Sequence, residues 1–110
     1  MKDASLWLRL DFANGRVGPG KIALLEAIQR EGSISAAARS LGMSYRRAWE
    51  LVAELNETFS VPVVERITGG AGGGGARLTR LGEALMLGFR DIESAASRAA
   101  AQHLRRLAKS

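Results

Sequence analysis

Arg46 and Arg47 stand side by side, directly after Ser44 and Tyr45 and ahead of Glu50, Glu54 and Glu57. If residues 44 to 59 form one helix, its first turn is basic and the rest is acidic. Guanidinium groups bond phosphate oxygens and guanine edges as two-pronged forks. A helix dipole favours acids at an N-terminus, so two arginines placed there carry a local cost that points to function. A helix entering a DNA groove by its N-terminus has this polarity, with the acidic end left outside. A second feature is the string Gly69-Gly70-Ala71-Gly72-Gly73-Gly74-Gly75, flanked by Arg66 and Arg77. It is not a nucleotide-type phosphate loop, because no Gly-Lys-Ser/Thr ending follows and no helix opens from it. Bare backbone N–H groups at Gly69, Gly70 and Gly73, with Thr68 beside them, can approach phosphates closely. Arg66 and Arg77 can anchor such a loop to the backbone of DNA.

Reaction chemistry finds no foothold. His103 is the sole histidine, so no Ser–His–acid set can be built, and the carboxylates are scattered. No cysteine is present, which removes disulfides and thiolate metal sites and fits a reducing cytoplasm. No enzyme activity, metal or other cofactor is expected. The 110 residues suit one domain. The net charge is +5, and thirteen of the sixteen basic residues are Arg, a surface suited to nucleic acid. Neither a signal peptide nor an apolar run of membrane-spanning length is visible, so no membrane partner is expected.

These residues need elements to carry them. Leu6, Leu8, Leu10 and Phe12 alternate with polar or half-polar neighbours, which predicts a strand with one buried face. Asn14-Gly15 marks a turn. Pro19 opens a helix whose stripe is Ile22, Leu24, Leu25 and Ile28, closed by Gly32. Ser33 or Ser35 caps the next helix, which carries Ile34, Ala37, Ala38 and Leu41 inward and stops at Gly42. Both serines also stand where a helix N-terminus can meet a phosphate. Met43 is placed to plug the core beneath the turn. Ser44 caps a third helix with the stripe Ala48, Val52, Leu55 and Phe59, and Trp49 lies beside it as a half-buried packing residue. Val63 to Ile67 reads as a strand, the glycine run as a loop, and Arg77-Leu78 as the returning strand. Thr79 caps a final helix of roughly 43 Å, at about 1.5 Å per residue. Its stripe is Leu81, Leu85, Phe89 and Ile92, followed by small residues that include Ala96 and Ala99. No acid follows Glu93, whereas Arg98, Arg105, Arg106 and Lys109 do.

The order of elements predicts a mostly α fold with a small β-wing. Residues 1–78 form a winged helix-turn-helix, and residues 79–110 form a long C-terminal dimerisation helix of the same domain. The expected DNA-binding set is Ser33, Ser35, Ser44, Tyr45, Arg46, Arg47, Arg66, Thr68, Gly69, Gly70, Gly73 and Arg77. The expected dimerisation set is Leu81, Leu85, Phe89, Ile92, Ala96 and Ala99, pairing two copies about a two-fold axis. Double-stranded DNA is the expected partner. The rival reading is a winged-helix interaction or dimerisation module that does not read DNA specifically.

Ser33-Ile34-Ser35, Ser44-Tyr45, Ala48-Trp49 and the run from Val64 through the glycines to Leu78-Thr79-Arg80 resemble the N-terminal domain of the ModE family of molybdate-responsive regulators. A looser resemblance extends to LysR-type regulators. The ModE resemblance covers residues 6 to 100. It implies a winged-helix homodimer on palindromic operators near molybdate-transport genes, with a recognition-helix start at Ser44 to Arg47 and a wing from Glu65 to Leu78. Full-length members carry molybdate-binding domains after the long helix. None follows Ser110 in this sequence, so the corresponding expectation is either a stand-alone regulator or one that pairs with a separate molybdate-sensing partner.

Overall fold

The computed structural model describes residues 4–68 and 74–109. The wing-tip residues Gly69, Gly70 and Gly73 therefore lie outside the described residues. The chain opens with β1 (Leu10–Phe12) and β2 (Gly15–Val17). Three helices follow: α1 (Pro19–Glu31), α2 (Ile34–Ser40) and α3 (Tyr45–Phe59). The ribbon of β3 (Val64–Ile67) and β4 (Gly75–Leu78) precedes α4 (Arg80–Ala108). Both ribbons are antiparallel, with Leu10 opposite Val17 in the first and Val64 opposite Leu78 in the second.

Local chemistry sets the helix boundaries. Pro19 starts α1, and Gly32 ends it at φ 77°, donating its N–H to the Ile28 carbonyl at 2.8 Å. Ser33 caps α2, Ser44 caps α3 and Thr79 caps α4, each accepting from a backbone N–H three residues on. Gly42, at φ 68°, turns the chain between α2 and α3. Met43 then packs partly buried against the core, and its N–H reaches the Ala38 carbonyl at 3.0 Å.

The core joins Ile22, Leu24, Leu25 and Ile28 of α1, Ala37 and Ala38 of α2, and Ala48, Val52 and Leu55 of α3. Burying each large aliphatic side chain contributes about 1.5–3 kcal/mol. Alanines where α2 meets its neighbours let the backbones approach. Met86 and Phe89 of α4 close the core from the other side, and Phe89 is 1% exposed. Arg90 ties α4 to α1 by donating twice to the Glu26 carboxylate, at 2.7 and 3.0 Å, and once to Glu93 at 2.7 Å. These bonds hold the Glu26 carboxyl below its usual range, against a partly opposing desolvation.

Four local expectations are corrected. The first strand is three residues long, not seven, and Leu6 and Phe12 are exposed. Only Leu10 to Phe12 find a partner strand. Upstream, Ala4 to Leu6 border an open cleft of about 350 Å³ against Ser97, Ala100 and Leu104 of α4. The strand's partner, β2, brings the fully buried Val17, which the alternation did not reveal. Leu41 is 37% exposed because it falls at the C-cap of α2, past the last inward-facing turn. Gly75 belongs to β4 and not to the loop; it pairs with Ile67, and a Cβ there would sit 3.0 Å from the Gly32 carbonyl oxygen.

Candidate nucleic-acid interface

The first turn of α3 projects from the domain. Ser44 Oγ accepts the Arg47 N–H at 3.0 Å, which fixes where the helix begins. Behind it, Tyr45 is 50% exposed and the Arg46 side chain 91% exposed. Arg46 and Arg47 share one partner, Glu50, at 3.7 and 3.5 Å. Exposed pairs of this kind contribute about 0–1 kcal/mol, so either guanidinium can exchange the carboxylate for a phosphate at little cost. The glutamates that follow are exposed as well. Glu54 meets Lys21 of α1 at 3.1 Å, and Lys21 also donates to the Arg16 carbonyl at 2.8 Å. The charge polarity of α3 thus separates an outward basic turn from an acidic stretch partly engaged by α1.

Of the two serines of α2, Ser33 is the cap, accepting the Ala36 N–H at 3.0 Å. Ser35 Oγ instead accepts from Arg39 at 3.2 Å within the helix. The wing stands next to α3. Its base is buried through Val64, Ala76 and Leu78, and the Ala76 N–H donates to the Gly32 carbonyl at 2.9 Å. Arg66, Ile67 and Thr68 are exposed toward the outer end. Arg77 pairs across the ribbon with Glu65 at 2.7 Å. Arg66 lies over the Trp49 ring, its guanidinium carbon 4.9 Å from the ring centre. Ser44, Tyr45, Arg46 and Arg47 are therefore gathered on one turn, and Arg66 is brought to the same helix by Trp49.

Sequence reasoning missed Asn56. Its carboxamide oxygen accepts the N–H groups of Val63 and Val64 at 2.7 and 3.2 Å, and its NH₂ donates to the Val64 carbonyl at 3.4 Å. A polar amide beside the apolar stripe of α3 was the available signal. Of the expected dimer residues, Phe89 is 1% exposed, committed to the core of its own chain. Leu81 and Leu85 are half-buried against that core, while Ile92 is 46% exposed. Among the described residues no group of three metal-ligating side chains occurs. No described helix is long and apolar enough to cross a membrane.

A capped recognition helix, a tight turn at positive φ and a ribbon docked on α1 define a winged helix-turn-helix. The chain belongs to the bacterial regulatory helix-turn-helix proteins of the lysR family, whose family model matches residues 20–83. It is 50% identical over 84 residues to the molybdenum-pterin-binding protein MopA of Rhodobacter capsulatus, a match that covers 76% of this chain and 32% of the relative. It is 52% identical over 68 residues to the transcriptional regulator ModE of Yersinia pestis, covering 62% of this chain and 26% of that one. The chain thus spans between a quarter and a third of the length of these curated relatives. Among solved structures, the CbnR DNA-binding domain in complex with DNA matches with a TM-score of 0.60 at 23% identity, over 83% of this chain and 97% of that one. This likeness corroborates the fold.

Proposed function

We propose that this chain binds double-stranded DNA as a homodimer and regulates molybdate-related genes. The observation that carries the DNA reading is the outward first turn of α3, where Ser44 caps the helix and, among the described residues, Arg46 and Arg47 pair with the exposed Glu50 alone. That turn would enter the major groove, with Tyr45 beside it and the wing residues Arg66, Thr68 and Arg77 along the backbone. The similarity to ModE and MopA supports the molybdate connection. Work on DNA would place the protein in the cytoplasm.

The dimer reading rests on α4. Its buried residues are Gly82, Met86 and Phe89, all in its first ten positions. Beyond them Ile92, Ala96 and Ala99 share one face by their spacing, and a second copy's helix would cover it. Two recognition helices reading successive grooves would then lie about 34–36 Å apart.

The test is fluorescence anisotropy on a promoter fragment of molybdate-transport genes, across a salt series, with and without molybdate. Steep salt dependence is expected. The double variant Arg46→Ala/Arg47→Ala should lose specific binding and flatten the log–log salt slope by about two, at roughly 0.9 per phosphate contact. Unchanged binding by that variant, with its fold and dimer intact, would refute the assignment of α3 as the reading helix.

A further inference from the structure

Two regions proposed to meet DNA are bridged by a residue that the DNA reading did not use. Trp49 lies one turn after Tyr45 on α3, and the Tyr45 ring meets it edge-on, 6.1 Å between centres at 74°. From the other side Arg66 of β3 covers it at 4.9 Å. Trp49 itself is partly buried against the core, so its ring is a fixed platform between the helix and the wing.

The arginines of the site are held in different ways. Arg46, Arg47 and Arg77 each face a glutamate, at 3.7, 3.5 and 2.7 Å. A carboxylate occupies the N–H donors that a phosphate would need. Among the described residues, Arg66 shows no ion pair, and its guanidinium lies over an aromatic ring. A cation–π contact attracts the charge without a carboxylate competing for the N–H donors. The ring therefore restrains Arg66 without blocking what it can bind.

We propose that Trp49 is a positioning residue for DNA binding. It holds Arg66 of the wing and Tyr45 of the recognition helix in one set of ring contacts, so that wing and helix meet the duplex as a unit. This inference rests on the DNA reading above and extends it to a residue whose evident role is packing.

The experiment compares Trp49→Leu, Trp49→Phe, Arg66→Gln and the double variant Trp49→Leu/Arg66→Gln, each checked for fold by circular dichroism and thermal melting. In the free protein, NMR should show the Arg66 side-chain protons shifted upfield by the ring, retained in Trp49→Phe and lost in Trp49→Leu. On the duplex used above, Trp49→Leu should weaken binding about 2- to 5-fold, the equivalent of an exposed cation–π contact, and Trp49→Phe should restore most of it. In the Arg66→Gln background, Trp49→Leu should cost almost nothing further. Equal losses from Trp49→Leu in both backgrounds, or no ring shift on Arg66, would overturn the proposal. Wild-type protein that keeps the ring shift but binds DNA without salt dependence would instead remove the DNA reading, and this proposal with it.

Discussion

The two ribbons of this molecule start from the same element and end in opposite roles. β1 and β2 pair three residues each around the turn Ala13-Asn14. This ribbon is drawn onto the C-terminal end of α3: Val17 is buried, Phe12 meets Phe59 edge-on at 4.9 Å, and Gly15 lies against Thr58. Its charges are internally matched, with Arg9 on Asp11 at 2.7 Å. β3 and β4 are instead clamped at their base by Asn56 and by Thr79, whose hydroxyl donates to the Pro62 carbonyl at 2.8 Å, and further along β4 by Gly32, whose carbonyl accepts the N–H of Ala76 opposite Arg66. Only β3 keeps its outer residues exposed, Arg66 and Ile67, followed by Thr68. The first hairpin is packed against the end of α3, whereas the second buries β4 against α1 and leaves the outer residues of β3 in solvent.

Three substitutions sharpen this contrast. The largest effect is expected from Gly82→Ala. Its Cβ would overlap the carbonyl oxygen of Val63, a backbone atom that already accepts the Thr79 N–H at 3.0 Å. Overpacking against backbone belongs at the upper end of its usual range, so urea denaturation should register a loss of about 3 kcal/mol. A variant as stable as the parent would show that the base of the wing yields.

Asn56→Ala comes next. It removes the acceptor from two N–H groups on buried residues, and stranded donors of this kind cost about 1–3 kcal/mol, so a loss of about 2 kcal/mol is expected. Amide exchange should quicken first at Val63 and Val64; uniform quickening across the domain would contradict a clamp specific to the wing. Gly15→Ala in the first ribbon should be mildest, about 1 kcal/mol, because its Cβ meets the Thr58 side chain, which can shift by giving up its hydrogen bond to the Glu54 carbonyl, rather than a backbone carbonyl. DNA affinity measured well below its melting temperature should not change, since this ribbon lies at the far end of α3 from Arg46.

The sequence made legible whatever depends on neighbours along the chain. Ser33, Ser44, Thr79 and Gly32 act as caps because capping is a matter of three or four residues. The basic first turn of α3 was visible for the same reason. Features made by distant partners were not. The alternation from Leu6 to Phe12 mimics a long strand, yet β2 is only three residues long. Asn56, Gly82 and the Glu26–Arg90 pair acquire meaning only where other segments pass. Trp49 was readable as packing, but its contact with Arg66 depends on how β3 returns across α3. In α4, the stripe through Ile92 runs past the end of the domain it was expected to cover, and the inward Met86 lies off that stripe.

The reach of α4 also governs how this protein behaves in a hydrodynamic measurement. The molecule measures 60 × 28 × 20 Å and has a radius of gyration of 16.6 Å. A compact chain of its length would have a radius near 13 Å, and 16.6 Å is the value for a sphere-like protein of about 200 residues. A single copy therefore imitates the dimensions of a pair. Elution volume and small-angle scattering radius will overstate association, and only a shape-independent mass will count the copies.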